Sequence, residues 1–262
     1  MIAPREHAIS IMYHDVVANG DIRSSGFAGA GADIYKLDRD EFARHLDGIH
    51  ASPIRTSDEW TQPRPVFLTF DDGGESAHSN IAPMLEQRGW RGHFFITTDR
   101  IGTPGFVQRE QIRDLDARGH IIGTHSCSHP ARISSCTAAE LRHEWEDSSA
   151  ILAELTGKPI TVASVPGGFY SNAVGEAAAR AGIRVLFTSE PTTRVAREGD
   201  CLLLGRYGVW RGMPPSTSSR LASGAFLPRW RQSVWWQVKK AAKALPGDPY
   251  AKLRDALLRP GR

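Results

Sequence analysis

Two adjacent aspartates, Asp71 and Asp72, follow a short apolar run and precede a glycine in the motif TFDDG. A carboxylate pair at the end of a buried strand is costly unless a cation or a proton stabilises it. About fifty residues later, His125 and His129 stand four positions apart in the motif HSCSH, a spacing that lets two imidazoles face one ion. We therefore predict that Asp72, His125 and His129 bind one metal ion, while Asp71 stays free for proton transfer. This arrangement is typical of a metal-assisted hydrolase.

Each motif also has a simpler interpretation. A lone DDG is usually a turn with solvated carboxylates, and it is the pairing with HSCSH that favours a metal site. Cys127 lies two positions from each histidine, so we expect its thiol to point elsewhere. Two imidazoles and one carboxylate suit a single divalent ion, zinc first, and the same ligand set also accepts cobalt or nickel.

The elements that must hold these residues alternate along the chain. Runs of apolar residues predict buried strands, and amphipathic segments with terminal Asp or Gly predict helices between them. Strands are expected at 8–13, 66–70, 93–97, 120–124, 160–165, 185–189 and 201–209, and helices at 38–50, 80–88, 108–118, 138–156 and 172–181. A long mobile loop is expected at 18–32.

This alternation predicts parallel βαβ units in one large α/β domain, and 262 residues with 40% hydrophobic content suffice for its core. His14, Asp71, Asp72, His125 and the segment 166–168 each follow a predicted strand. Clustering at the carboxyl ends of strands is the geometry of the active face of a (β/α) barrel.

Charge and composition exclude other classes. The formal net charge is +3, but residues 213–262 carry ten Lys and Arg against two Asp, a balance of +8, which leaves residues 1–212 near −5. A nucleic-acid-binding domain is therefore not expected, because the predicted site lies in the acidic part. Three cysteines without CxxC spacing argue against a disulfide framework. Without a signal-like or membrane-spanning apolar run, we expect a cytoplasmic protein, peripheral at the inner membrane face if its tail binds lipid.

We divide the chain into a catalytic domain at 1–212 and a basic, Trp-rich helical tail at 213–262. The domain comprises a first strand and helix at 8–50 and a core with the metal site at 64–212. The tail begins with a linker at 214–219 and continues as a helix over about 229–243 and a shorter one at 249–258. Residues 229–245 suit peripheral contact with an anionic membrane; alternatively, this helix docks on the barrel through its tryptophans and exposes its lysines.

The order TFDDG, HSCSH and a Pro-Gly loop after a strand resembles the polysaccharide deacetylases of carbohydrate esterase family 4, the nodulation-deacetylase homology domain, from about residue 10 to 209. The resemblance implies a distorted (β/α) barrel of that type, with Asp71 as the base and Asp72, His125 and His129 as metal ligands. It also implies removal of an N-acyl group, acetyl first, from an amino sugar in a polysaccharide or its lipid-linked precursor.

Departures from the family pattern shift two roles. The usual Arg-x-Pro-Tyr motif is here Ser-Val-Pro-Gly at 164–167, so the arginine that steadies the base is missing. We take Arg206 as its replacement, against a plain surface or core-edge arginine. A backbone N–H near Gly167 is a candidate for holding the oxyanion. For Tyr170 we weigh stacking on a sugar ring against simple packing.

The second shift concerns the general acid. Many members use a late Leu-x-x-His, but no histidine follows His143. The opening residues 11–15, IMYHD, resemble the branch exemplified by biofilm poly-N-acetylglucosamine deacetylases, in which an early histidine takes the acid's place. His14 inherits that role, unless it is merely a hydrogen-bonded histidine at a strand end.

Two rival functions use the same features. One is a deformylase or another amidase acting on a small or lipid-linked substrate with the same metal core. The other is a non-catalytic glycan-binding module of a polysaccharide assembly complex. Asp71 argues against the second, since a module without activity needs no base beside its ligands.

Overall fold

The computed structural model describes residues 6–49, 54–61 and 63–244, with side chains as far as Val238. In this part the strands are β1 (Ile9–Tyr13), β2 (Val16–Val17), β3 (Leu37–Asp38), β4 (Val66–Phe70), β5 (His93–Ile96), β6 (Ile121–Thr124), β7 (Val162–Ser164), β8 (Val185–Phe187), β9 (Ala196–Glu198), β10 (Cys201–Leu204) and β11 (Tyr207–Gly208). The α-helices are α1 (Ala30–Asp33), α2 (Arg39–Gly48), α3 (Ala82–Glu86), α4 (Arg109–Ala117), α5 (Ala138–Arg142), α6 (Ser148–Thr156), α7 (Asn172–Arg180), α8 (Ser216–Ala222) and α9 (Phe226–Ala244).

The main sheet has the strand order β11-β1-β4-β5-β6-β7-β8-β10-β9. Its pairs are parallel except for the short outer strand β9, which runs antiparallel to β10. All five residues of β4 are buried, because a parallel sheet covered by helices has no solvent face. The parallel strands from β1 to β8 are connected through helices, and β10 follows β8 by way of β9. The predicted distorted (β/α) barrel is confirmed.

One segment joins the two sides of the curled sheet. In residues 201–208, β10 pairs with β8 while β11, only two residues later, pairs with β1. The predicted last strand at 201–209 is therefore interrupted at Gly205 and Arg206. A Cβ on Gly205 would meet the carbonyl oxygen of Glu190 at 2.2 Å, so this change of partner requires glycine.

Helix boundaries follow local chemistry. Asp38 caps α2 by accepting a hydrogen bond from the amide of Asp40, and Thr137 and Glu140 form a reciprocal capping box at α5. The helix predicted at 138–156 is continuous but contains a π-helical turn, His143–Asp147, between α5 and α6. A second π-helical turn, Ala77–Ile81, precedes α3.

The composition of residues 214–219 predicts a linker, and the structure differs. These residues lead into α8, whose Ser218, Leu221 and Ala222 are buried. The Ser218 hydroxyl lies 2.8 Å from the Tyr13 hydroxyl and 2.6 Å from Nδ1 of His45, which ties α8 to β1 and α2. A serine-rich stretch thus serves buried hydrogen bonding, and α8 packs with the barrel.

The C-terminal helix α9 extends over the predicted tail helix, while the helix predicted at 249–258 lies outside the described residues. Within the residues described, no helix is both long enough and apolar enough to cross a membrane.

Candidate active site

The two aspartates leave β4 in different directions. The amide of Asp71 donates to the carbonyl of Tyr13, which continues the β1–β4 pairing one residue beyond the strand. Asp72 then adopts a left-handed backbone conformation with φ of 76°, which L-residues rarely adopt outside tight turns. Asp71 and Asp72 are only 4% and 7% exposed. Their carboxylates therefore depend on protein groups or a bound ion rather than on water.

Asp72 faces both histidines of the HSCSH motif. Its Oδ1 lies 3.5 Å from Nε2 of His125 and 3.6 Å from Nε2 of His129, and the ligand atoms of the three residues lie within 4.8 Å of one another. Two ligands bound tetrahedrally to zinc at 2.0–2.1 Å are roughly 3.4 Å apart. The three side chains therefore fit one tetrahedral divalent ion with a further position open.

A backbone carbonyl group orients the imidazole of His125. Its Nδ1 lies 3.0 Å from the carbonyl oxygen of Ser164. Because a carbonyl only accepts hydrogen bonds, Nδ1 carries the proton and Nε2 is left as the ligand atom. Metal-binding histidines commonly have such a partner, which sets the tautomer and the ring direction.

A buried glutamate holds the loop that carries these histidines. Oε2 of Glu144 accepts from the amides of Cys127 and Ser128 at 2.9 Å each, and Oε1 accepts from the Ser128 hydroxyl at 2.6 Å. Glu144 lies in the π-helical turn between α5 and α6, and it is 6% exposed. It fixes a loop in which both Ser126 and His129 have positive φ.

The thiol between the two histidines has another environment. Sγ of Cys127 donates to the carbonyl of His143 at 3.5 Å, and burial raises the pKa of this thiol to about 11. Cys127 is therefore absent from the ligand cluster.

The pKa shifts of Asp72 and His129 also fit a bound cation. Burial raises the pKa of Asp72, but His125, His14 and His129 outweigh this effect, so the pKa of Asp72 lies well below its usual value. Burial lowers the pKa of His129, and the neighbouring His125 lowers it further. For His125, burial lowers the pKa, but Asp71 and Asp72 outweigh it and raise the pKa overall. An ionised carboxylate beside a neutral His129 is the protonation that a metal ion requires.

Asp71 is held by a different partner. Arg206, buried at 1% exposure, donates from its two terminal nitrogens to Oδ1 and Oδ2 of Asp71 at 2.6 and 2.8 Å. Burial raises the pKa of Asp71, but Arg206 and then His125 outweigh it, so the pKa is lowered and the group stays ionised. The structure thus pairs Arg206 with Asp71, the residue predicted to act as the base.

Ser164 explains how Arg206 reaches this position. The serine stands where the resemblance led us to expect an arginine, and its Oγ lies 3.2 Å from Asp71 and 2.8 Å from a terminal nitrogen of Arg206. The Nε of Arg206 donates to the carbonyl of Thr188 at 3.0 Å. A small side chain at 164 leaves room for a guanidinium that comes from the closing segment 201–208 instead.

His14 follows β1 as Asp71 follows β4, and the register pairs Tyr13 with Phe70 immediately before them. The His14 ring lies 4.5 Å from the ring of Tyr35, and its Nδ1 is buried without a hydrogen-bond partner among the described residues. Stacking therefore positions this imidazole, and no described protein group competes for that nitrogen.

The remaining two predicted residues lie beyond β7. Gly167, with φ of 64°, is in a 3₁₀ turn, Pro166–Gly168, two residues after the strand ends at Ser164. Tyr170 packs differently: a Cβ on Gly175 of α7 would meet its hydroxyl at 2.6 Å, and that hydroxyl is buried. The ring lies against α7 and packs on the hydrophobic core, and its stacking on a sugar ring stays a prediction.

The glycine-rich loop at 18–32, expected to be mobile, is anchored beside the cluster. Oδ1 of the buried Asp15 accepts from the hydroxyls of Ser25 and Ser76 at 2.5 and 2.9 Å. The ring of Phe27 then lies 5.1 Å from that of His129. This loop forms one wall of the site, a role that its composition did not indicate.

Replacing Glu144 with alanine is expected to lower zinc affinity by about 10- to 100-fold, because the amides of the ligand loop lose their common acceptor. The affinity is measured by competition with a chromophoric chelator, after circular dichroism shows that the variant is folded. Glu146→Ala, an exposed change in the same π-helical turn, is the control. Unchanged zinc affinity in folded Glu144→Ala would contradict the role of Glu144 in fixing the loop that carries His125 and His129.

Replacing Arg206 with methionine is expected to reduce the free energy of unfolding by about 3–5 kcal/mol, since the buried Asp71 loses its compensating charge. Urea titration measures the change. Arg184→Met, at a 56% exposed side chain, serves as control and is expected to stay within about 0.5 kcal/mol of the wild type. A small loss at Arg206 would mean that Asp71 is stabilised by other groups.

The sequence segment 58–186 matches the family model described as polysaccharide deacetylase. YxkH of Bacillus subtilis, a protein named for the same family, is 24% identical over 228 residues, 83% of this chain and 75% of its own. Peptidoglycan-N-acetylmuramic acid deacetylase PdaA of Bacillus subtilis is 28% identical over 131 residues, which cover 49% of this chain and 48% of PdaA. The chain thus spans three quarters of one curated relative and about half of the other.

A solved structure supports the fold. IcaB from Ammonifex degensii superposes with a TM-score of 0.65 at 23% sequence identity, over 83% of this chain and 96% of IcaB. The segment matched by the family model contains both aspartates, both histidines and Ser164. The chain therefore belongs to the polysaccharide deacetylase family, hydrolases that act on amide bonds.

Proposed function

We propose that this protein is a metal-dependent N-deacetylase of amino sugars in a polysaccharide or its lipid-linked precursor. The division of labour between two adjacent carboxylates carries the proposal. Asp72 faces two imidazoles at 3.5 and 3.6 Å, while Asp71, next to it, is paired with Arg206 and lies farther, at 3.9 Å, from Nε2 of His125. One carboxylate is suited to binding an ion, and its neighbour to moving a proton.

Asp72, His125 and His129 would hold the ion. When bound, a divalent metal supplies Lewis-acid chemistry at the acyl group, and zinc is the ion that this ligand set suits first, ahead of cobalt and nickel.

The chain's own residues carry the proton transfers. Asp71 accepts a proton from the attacking water as the water oxygen bonds to the acyl carbon. Arg206 and Ser164 keep the carboxylate oriented throughout. His14, in its protonated form, donates to the sugar nitrogen as the carbon–nitrogen bond breaks, which yields acetate and a free amine. The backbone N–H of Gly167 donates to the developing oxyanion.

The choice of an N-acetylated amino sugar as the substrate rests on the family and on its relatives. PdaA is named for N-acetylmuramic acid. A site that accepts an acetyl group also has room for the smaller formyl group. A deformylase or another amidase is therefore the second candidate. Parallel assays with N-acetyl and N-formyl glucosamine oligomers separate the two activities.

Asp71→Asn is expected to keep its bound metal and to lose acetate release from N-acetylglucosamine oligomers by about 10²- to 10⁴-fold, because the amide cannot accept the water's proton. Metal content and acetate are measured on the same preparations, with the exposed Asp200→Asn as control. Equal activity of Asp71→Asn and the wild type would exclude Asp71 as the base. Failure of the wild type to release an acyl group from any amino sugar would refute the proposed activity.

His14→Asn is expected to slow amide cleavage by a similar factor and to leave hydrolysis of 4-nitrophenyl acetate nearly unchanged. Nitrophenolate departs without a proton, so only the amide needs the acid. Zinc affinity should stay the same, and His78→Asn is the control histidine. Equal losses on the ester and the amide would assign His14 a structural role.

A further inference from the structure

The C-terminal helix α9 attaches to the barrel by one face. Gln232 forms a pair of hydrogen bonds with the backbone N–H and C=O of Gly208 in β11, at 3.1 and 2.9 Å. The Ser233 hydroxyl donates to the carbonyl of Pro191 at 2.8 Å, and a Cβ on Gly168 would meet the Trp236 ring at 3.2 Å. These three positions recur at helical spacing and define the docked face of α9.

The opposite face of α9 is apolar and exposed. Its residues recur at intervals of three and four positions, and their exposed fractions range from 43% to 50%: Leu227, Trp230, Val234 and Val238. Phe226, at the start of the helix, is 72% exposed. Among the described residues, these five are the large hydrophobic side chains that remain exposed, and all of them belong to α9. An isolated exposed apolar residue needs no explanation, but a continuous stripe does.

A groove continues this stripe toward the barrel. It has a volume of about 660 Å³ and lies between α9 and the residues that lead into α8, with Trp210, Pro214 and Trp235 in its walls. Its only charged lining residues are Arg220 and Arg231, both exposed. We call the stripe and this groove together the α9 surface.

Charge indicates what covers the α9 surface. From Met213 to Gly247 the chain has six Lys and Arg and no acidic residue. A protein partner selected by apolar contact alone would not require this imbalance, whereas a layer of phosphate head groups over acyl chains matches it. Tryptophans beside arginines on a helix are also typical of the membrane interface, where an apolar body and a polar edge are both satisfied.

We propose that the α9 surface binds an anionic phospholipid membrane, with the stripe and groove against the acyl chains and Arg220 and Arg231 at the phosphates. Both earlier interpretations of the tail helix then apply to one helix, docked on one face and lipid-bound on the other.

The docked face also sets where the active site lies relative to the lipid. Gly168 and Pro191 belong to the loops that follow β7 and β8, at the same end of the sheet as Asp71. The helix α9 therefore borders the rim of the site near Trp236, with the α9 surface on its outer side. Resting on the proposed function, this placement favours an amino sugar that is still linked to lipid, since its sugar would reach the site while its lipid stays in the membrane.

The test is co-sedimentation of the full-length wild type with vesicles of phosphatidylcholine alone and of phosphatidylcholine with an equal part of phosphatidylglycerol. We expect binding to the anionic vesicles and at least tenfold weaker binding to the neutral ones. Leu227→Ser, Trp230→Ser and Val234→Ser combined should weaken anionic binding at least tenfold. Acetate release from soluble N-acetylglucosamine oligomers should be unchanged in this variant, so failure of the lipid proposal and failure of the deacetylase proposal give different results.

A charge-matched pair of variants completes the design. Arg220→Gln with Arg231→Gln should weaken anionic binding at least threefold, while Arg142→Gln with Arg180→Gln, exposed arginines on another surface, should not. Equal effects of the two pairs, or no wild-type binding to anionic vesicles, would overturn the proposal. A lipid-free dimer that dissociates in the triple-serine variant would also overturn it, because a second copy would then cover the stripe.

Discussion

The molecule is organised around the repulsion between two adjacent carboxylates that water hardly reaches. Asp71 and Asp72 cannot both be ionised at such low exposure unless each has its own positive partner. The left-handed turn at Asp72 separates them, so that one carboxylate turns to Arg206 and the other to the two imidazoles that would hold a cation with it. The neutralising groups come from opposite directions in the sheet, and the whole barrel is needed to bring them together.

Closure of the barrel and assembly of the site are therefore coupled. Arg206 lies between β10 and β11, where the chain passes from β8 to β1. Gly205 and Arg206 interrupt the strand, and Arg206 places its guanidinium against Asp71. Without that ion pair, the closing segment would leave a buried arginine without its carboxylate, and β4 would end on an uncompensated charge. Stability and chemistry depend on one contact here.

Local patterns predicted most of this architecture. The strand runs, the helix caps and the spacing of TFDDG and HSCSH are properties of short segments, and they led to the barrel and to the cluster of Asp72, His125 and His129. Arg206 could be inferred only from the missing arginine at 164. Glu144 gave no signal, because a glutamate in an amphipathic helix normally faces water and nothing nearby indicates that it caps a distant loop. The serines of α8 predicted a linker because composition does not distinguish a solvated serine from a buried one.

Left-handed backbone is concentrated at the ligand cluster. Among the described non-glycine residues, positive φ occurs at Asn19, Asp72, Ser126 and His129, and three of these belong to the two motifs. Each such residue costs on the order of 1–3 kcal/mol, which packing and hydrogen bonds elsewhere must offset. The ligands consequently reach their positions during folding rather than on meeting an ion. A site preorganised in this way would lose little conformational entropy on binding an ion, since its backbone would not have to be ordered at that moment.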